Sequence, residues 1–305
     1  MKRWLGFATV VLLGVAALVM GERRKAEAPV SPDPVVYFIA DTQREMTRVV
    51  ATATRLSDAE EIRIGDELAA RYLGGSAPLT GDDAAVEAYI QQVGLQVGAR
   101  AHRQLPYKFH YIPDRGFVNA FALPGGHVYI GAGMLALMDS EDQLAGVLGH
   151  EVEHIDHYHC AERVQLEARL RRLNLGVVGA LLQIPIAVFQ AGYTKDQELE
   201  ADSEGTRLAA RAGYAPEGTV RLFERFAKLE RESSQPARTP QEEAARAALQ
   251  TLQGYFRSHP PAGERIAYLR RTLPPELWNR TSERPLAVAQ YFQQATASPT
   301  SPSYP

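Results

Sequence analysis

Apolar and polar positions change their period along the chain, and each change marks an element. Ser57-Asp58-Ala59-Glu60 sets a hydroxyl three residues before a carboxylate, a capping-box signature that predicts a helix to about Leu73, stopped by Gly74-Gly75. Val86, Ile90, Val93 and Val97 recur at three- and four-residue spacing, so Asp83 to about Ala101 reads as an amphipathic helix. The period then falls to two. Tyr107–Ile112, Phe117–Ala122 and His127–Ile130 read as short strands, separated by turns at Pro113-Asp114-Arg115-Gly116 and Leu123-Pro124-Gly125-Gly126. Their simplest arrangement is a small antiparallel sheet. A second capping box, Ser140-Glu141-Asp142-Gln143, opens a long helix through Leu144, Val147, Leu148, Val152 and Ile155 toward Leu170. Further helices are predicted from Lys195 to about Ala212, Pro216 to about Glu232, Glu242 to about Arg257 and Ala262 to Thr272, with a polar loop over 233–241. From Pro274 onward order is expected to decline, and 298–305 reads as a disordered tail. The fold class is therefore α+β, mainly helical, with the small sheet packed against the helix that starts after Ser140.

Composition narrows this picture. Of 305 residues 45% are hydrophobic, enough for a substantial core, and the net charge of −3 is spread without a basic stripe, which argues against a nucleic-acid partner. Cys160 is the one cysteine, so neither a disulfide nor a cysteine metal site forms within the chain. At the N-terminus Lys2 and Arg3 precede an apolar run from Trp4 to Met20, the layout of an export signal. Cleavage after Gly21 and retention as an anchor both stay open, because Arg23, Arg24 and Lys25 follow directly. The expected organisation is a signal peptide or anchor over 1–21, a linker over 22–40, one domain over 41–275 and a poorly ordered tail over 276–305. Residues 175–192 are apolar but broken by Gln183 and Pro185, which fits a helical pair or a membrane-touching segment.

The candidate chemistry begins at His150-Glu151-Val152-Glu153-His154. Residues four apart on a helix share a face about 6 Å apart along the axis, so His150 and His154 are placed to grip one zinc ion. Glu151, beside the first ligand, is placed as a general base for water attacking a peptide carbonyl. A catalytic zinc needs a third protein ligand, and Glu198-Leu199-Glu200-Ala201-Asp202 offers two carboxylates four apart on another helix. One of them suits the metal and the other suits orienting a ligand histidine; Glu200 points elsewhere.

These motifs, with Asn119-Ala120-Phe121-Ala122-Leu123-Pro124-Gly125-Gly126 ahead of them and Ser258-His259-Pro260 and Arg265 behind, resemble the M48 family of zinc metallopeptidases, gluzincins with a zincin-like domain. The likeness spans roughly residues 55–272 and is nearest to exported bacterial quality-control and Oma1-like members. It implies one Zn2+ per chain on His150, His154 and Glu198, Glu151 as base, and Asp202 behind a ligand histidine. It also implies that Asn119, Ala120, Phe121 and Ala122 form an edge strand to which an extended substrate adds through main-chain hydrogen bonds. Arg265 is expected to pair with Asp202 or with a substrate carboxylate. For His259 three readings stay open: polarising the oxyanion, binding and blocking the zinc, or a turn residue held by Pro260 and Pro261.

The chain departs from the family at Glu153, where a small residue is usual; facing inward it would set negative charge beside the metal. His157 shares the face of His150 but lies one turn too far along to reach that metal, and Cys160 reads as a packed thiol. The resulting expectation is a metalloendopeptidase acting on unfolded or misassembled cell-envelope proteins, exported to the bacterial periplasm or anchored facing it. The segments 4–20 and 175–192 are the candidates for membrane association. The alternative is a zinc-bound holdase or assembly factor with low turnover.

Overall fold

A computed structural model describes residues 56–74, 77–171, 184–233, 259–280 and 284–293. The N-terminal segment through residue 55, residues 172–183, and the predicted loop and helix within 234–258 lie outside the described residues.

Ser57 caps the first helix, α1 (Asp58–Leu73), as expected: its hydroxyl accepts from the Glu60 N–H while the Glu60 carboxylate accepts from the Ser57 N–H. Helix α2 (Gly81–Gly98) buries Val86, Ile90, Val93 and Val97. Three strands follow, β1 (Lys108–Ile112), β2 (Ala120–Leu123) and β3 (His127–Gly131). The β2–β3 hairpin turns through Gly125 and Gly126 at φ 79° and 117°, values that glycine adopts without a Cβ clash.

The sheet is mixed rather than wholly antiparallel. Its order is β1-β3-β2; β2 runs antiparallel to β3, but β1 pairs parallel to it, Lys108 opposite His127. Strand β3 thus lies between the other two, and β2 is left at an edge.

After the short α3 (Ala132–Leu135) comes α4 (Glu141–Asp156), capped by the Ser140 side chain and buried over most of its length. The helix expected to reach Leu170 is broken. Tyr158 adopts a left-handed conformation (φ 63°), and α5 (His159–Leu170) starts anew. The cause is long-range. Arg103 Nη1 donates to the Ile155 carbonyl at 2.7 Å, and the Asp156 carboxylate accepts from the His102 and Arg103 backbone N–H groups. The last turn is thus drawn toward residues 102–103 instead of continuing.

Beyond α6 (Ala187–Gln190), a Thr194–Gln197 capping box opens α7 (Lys195–Arg211), then come α8 (Glu217–Ser233) and α9 (Ala262–Thr272). Helices α4 and α7 pack closely because glycines meet where they cross. A Cβ on Gly205 would lie 2.5 Å from the His150 backbone nitrogen, and one on Gly149 would lie 2.4 Å from the Gly205 carbonyl oxygen. The main core fills the space between α2, α4, the sheet and α8; a smaller one joins α1, β2 and Phe189 of α6.

Part of the stretch expected to be a poorly ordered tail packs onto this body. Leu286 and Val288 are buried in the main core, Pro285 bridges to Ser140, and a last helix, α10, spans Ala289–Gln293. Apolar side chains two apart dock there without any periodicity long enough to read from sequence. Among the described residues no helix is long and apolar enough to cross a membrane.

Candidate metal centre and active site

Two helices supply the centre. His150 and His154 project from one face of α4, and Glu198 and Asp202 from the facing side of α7, brought within reach by the glycine contact at Gly149 and Gly205. One ligand atom each from His150, His154 and Glu198 lies within 4.8 Å of the others, and all three residues are buried. His150 Nε2 stands 3.1 Å from His154 Nε2 and 3.4 Å from Glu198 Oε2; His154 Nε2 stands 3.8 Å from Glu198 Oε1.

Proton positions suit this centre to a cation. Asp202 Oδ1 lies 2.9 Å from His150 Nδ1. Burial pushes the Asp202 carboxyl up, but Arg265 and His150 outweigh it and hold it below the usual range, so it is ionised and accepts. The His150 proton therefore sits on Nδ1, leaving a lone pair on Nε2. That lone pair faces Glu198, whose carboxyl is likewise raised by burial but driven well below its usual range, chiefly by His259 and His150. Acceptors this close without a proton between them repel unless a cation stands among them. Two imidazole nitrogens and a carboxylate oxygen are the donor set of a catalytic transition-metal site with an open position, so the residues fit a metal ion. Without one the centre takes up a proton instead: burial pulls His150 down, while Asp202 and Glu198 lift it to about 10.

The carboxylates of α7 are held differently. Arg265 of α9, itself 2% exposed, donates Nε to Asp202 Oδ2 at 2.8 Å and Nη2 to Oδ1 at 2.5 Å, and its guanidinium lies 4.0 Å above the Phe223 ring. Arg265 thus pairs with Asp202, one of its two expected partners. Glu198 Oε1 accepts from the Tyr193 backbone N–H at 2.7 Å, and Oε2 lies 2.5 Å from His259 Nδ1. His259 is accordingly more than a turn residue: its ring lies 5.7 Å from that of His150.

Glu151 lines a narrow cleft with Ala120, Val147, Phe223 and Arg265, and among the described residues its carboxylate makes no hydrogen bond. Burial raises it to about 7, with His150 opposing and Glu198 reinforcing the rise. A larger cavity, bordered by Tyr72, Leu79, His110 and Phe117, contains none of these groups.

Of the expected substrate strand, Ala120 reaches the cleft and Ala122 faces the main core. Phe121 points to the opposite face, stacked on Tyr129 at 4.8 Å, and Asn119 accepts from the Gly131 N–H through its carbonyl. Glu153 is fully buried and turned from the triad toward His157, and Glu200 also faces His157. Cys160 is buried, its Sγ 3.2 Å from the Tyr193 hydroxyl.

Tyr193 was not anticipated. Its ring stacks on His154 at 4.0 Å between centroids while its N–H holds Glu198. Its one sequence signal is its place just before the Thr194 cap. His159 likewise contacts a ligand, with Nδ1 2.9 Å from His154 Nδ1.

Comparison with known proteins agrees with this geometry. The profile of peptidase family M48 matches residues 84–273. The beta-barrel assembly-enhancing protease of Escherichia coli strain K12 is 30% identical over 241 residues, covering 73% of this chain and 46% of that protein. The metalloprotease LoiP of the same organism is 25% identical over 232 residues, covering 72% and 82%. The mitochondrial metalloendopeptidase OMA1 of Arabidopsis thaliana is 34% identical over 123 residues, covering 39% and 25%. This chain spans about half the length of the assembly-enhancing proteases it matches. The match over 84–273, which contains the helix pair and its converging His-His-Glu set, establishes that the chain belongs to peptidase family M48.

Proposed function

We propose that the chain is a zinc-dependent endopeptidase that cleaves unfolded or misassembled proteins of the bacterial cell envelope. The observation that carries the reading is the convergence of the lone pairs of His150, His154 and Glu198 on one point. Zinc held by His150, His154 and Glu198 would supply Lewis-acid chemistry, polarisation of the scissile carbonyl and acidification of a water.

The chain's own groups do the rest. Asp202 holds the His150 proton on Nδ1 and so keeps Nε2 available. Tyr193 fixes the Glu198 carboxylate through its backbone N–H and packs on the His154 ring. Glu151, buried on the cleft beside His150, accepts a proton from the attacking water at its carboxylate and delivers it to the leaving amine. His259, against Glu198 and beside His150, is placed to meet the carbonyl oxygen or to occupy the centre itself. Strand β2, at the sheet edge with Ala120 on the cleft, is the surface to which an extended chain adds by main-chain hydrogen bonds, indifferent to side chains. Envelope substrates and an exported location rest on the apolar N-terminal run and on the likeness to the assembly-enhancing protease. The low-turnover holdase reading loses its motive, because Glu153 faces His157 and not the triad.

The test is hydrolysis of unfolded casein by the full chain and by Glu151→Gln, with zinc content measured for both. The variant is expected to keep its zinc and to lose activity by about 10²- to 10⁴-fold, and a chelator is expected to silence the wild type. Equal turnover in the two proteins would refute Glu151 as base; a wild type without zinc would refute the metal assignment.

A further inference from the structure

On the Nδ1 side of His154 lies a second group of metal-ligating side chains that the proposed reaction does not use. Glu153 is fully buried, yet among the described residues neither carboxylate oxygen makes a hydrogen bond. A buried carboxylate is ordinarily satisfied by several donors, and an unsatisfied one costs several kcal/mol, on the order of a whole domain's spare stability. Its neighbour is His157, the residue that caps α4, whose Nδ1 lies 3.2 Å from Glu153 Oε2 and is likewise buried without a hydrogen bond. Glu200 of α7 faces the same imidazole from the other side, with Oε1 3.9 Å from His157 Nδ1.

His159 borders this group without being a donor to it, a step that rests on the proposed function. When His154 binds metal through Nε2, its proton sits on Nδ1 and is donated to His159 Nδ1, 2.9 Å away. The His159 proton is then on Nε2, 3.4 Å from Glu200 Oε2. Glu200 thus stands within ion-pair distance of both His157 and His159. Asp156 is close by but committed to the His102 and Arg103 backbone N–H groups.

What remains is one imidazole nitrogen flanked by two carboxylates. Glu153 is enclosed, and His157 and Glu200, with side chains 30% and 41% exposed, leave an entrance from solvent. Mixed nitrogen and oxygen donors suit zinc-type transition metals, whereas calcium and magnesium favour all-oxygen shells. We infer that Glu153, His157 and Glu200 form a second site for a divalent transition-metal cation, which ties the C-terminal end of α4 to α7 beside the first centre.

Zinc stoichiometry tests this. The untagged full chain is equilibrated with excess zinc, desalted and analysed by mass spectrometry of the metal, with circular dichroism checking the fold. Two equivalents are expected in the wild type and one in each of Glu153→Gln, His157→Asn and Glu200→Gln. His150→Asn is expected to retain one equivalent, held at the second site. Glu200→Gln, at the solvent-exposed mouth, keeps the test decisive should Glu153→Gln fail to fold. A wild type with a single equivalent, lost in His150→Asn and kept in Glu200→Gln, would overturn the second site and leave the proposed function standing. Two equivalents in any folded variant of the three would overturn it as well, and a wild type with none would overturn both.

Discussion

Replacing Arg265 by Met probes how the centre is held. The side chain is 2% exposed and donates through Nε and Nη2 to both oxygens of Asp202, at 2.8 and 2.5 Å. Met keeps most of the apolar stem and removes the charge. Asp202, 1% exposed, would then keep only His150 as a side-chain donor. Removing one partner of a buried ion pair costs about 3–5 kcal/mol, and the guanidinium stack on Phe223, 4.0 Å from the ring centroid, falls within the same loss. With a urea m value of about 2–3 kcal/mol per M, the unfolding midpoint moves down by about 1–2.5 M. Asp202→Asn combined with Arg265→Met leaves no isolated charge, so the double variant is expected to be more stable than the sum of the singles by about 1–3 kcal/mol. Because Asp202 also orients His150, a proposed metal ligand, Arg265→Met should weaken zinc binding by about 10- to 100-fold. The assays are urea denaturation of the chelated protein followed by far-ultraviolet dichroism, and zinc titration against a competing chelator. A midpoint shift below about 0.3 M together with an additive cycle would show that Asp202 is held by something other than Arg265.

Two further perturbations follow from the same geometry. A Cβ at Gly205 meets backbone atoms of Gly149 and His150 at 2.6 and 2.5 Å, so Gly205→Ala must push α7 off α4; about 1–3 kcal/mol of stability and part of the zinc affinity should go with it, and an unchanged melting temperature would refute the close docking. In the chelated protein the His150 pKa is lifted above its unfolded value to about 10; the associated stability is present below the unfolded pKa of about 6.5 and lost as pH rises through about 10. Stability of the chelated wild type should therefore fall across that window while His150→Asn stays flatter, and parallel curves would contradict the assignment. His154, whose pKa is lowered by burial and by His150, acts at acid pH, and Glu151 and Glu153, raised by burial to about 7 and about 8, titrate in the lower part of the window, so the difference between the two curves is read above about pH 8.

What could be read from sequence divides by range of interaction. The caps at Ser57, Ser140 and Thr194 satisfy helix donors within three residues, so α1 and α4 begin where their local chemistry says. The i,i+4 pairing of His150 with His154 is equally local. The break at Tyr158 depends on Arg103, some fifty residues upstream in the chain, reaching the Ile155 carbonyl; no pattern near residue 158 announces it. The parallel pairing of β1 is also non-local: alternation defines each strand but not its neighbour. Tyr193 escaped notice because it acts through a backbone N–H and a ring face, neither of which has a sequence signature. Glu153 stood out as an unusual residue, but only packing decides which way its carboxylate turns.

Glu198 and Asp202 show why the same pattern leaves roles open and how packing separates them. Both are buried carboxylates on one face of α7, four residues apart, and spacing alone suits either to the metal. Their surroundings differ in donors. Asp202 meets the N–H of His150 and the fork of Arg265, so it faces hydrogens and is satisfied without a cation. Glu198 receives the Tyr193 N–H on one oxygen and the His259 ring on the other, but it also faces His150 Nε2 at 3.4 Å. Once Asp202 has fixed the His150 proton on Nδ1, that nitrogen is a lone pair, and only a cation makes its approach to Glu198 favourable. The support for Glu198 as the ligand therefore comes through Asp202. A substitution that moved the His150 proton to Nε2 would satisfy Glu198 by a hydrogen bond and disfavour metal without touching any of the three metal-facing residues.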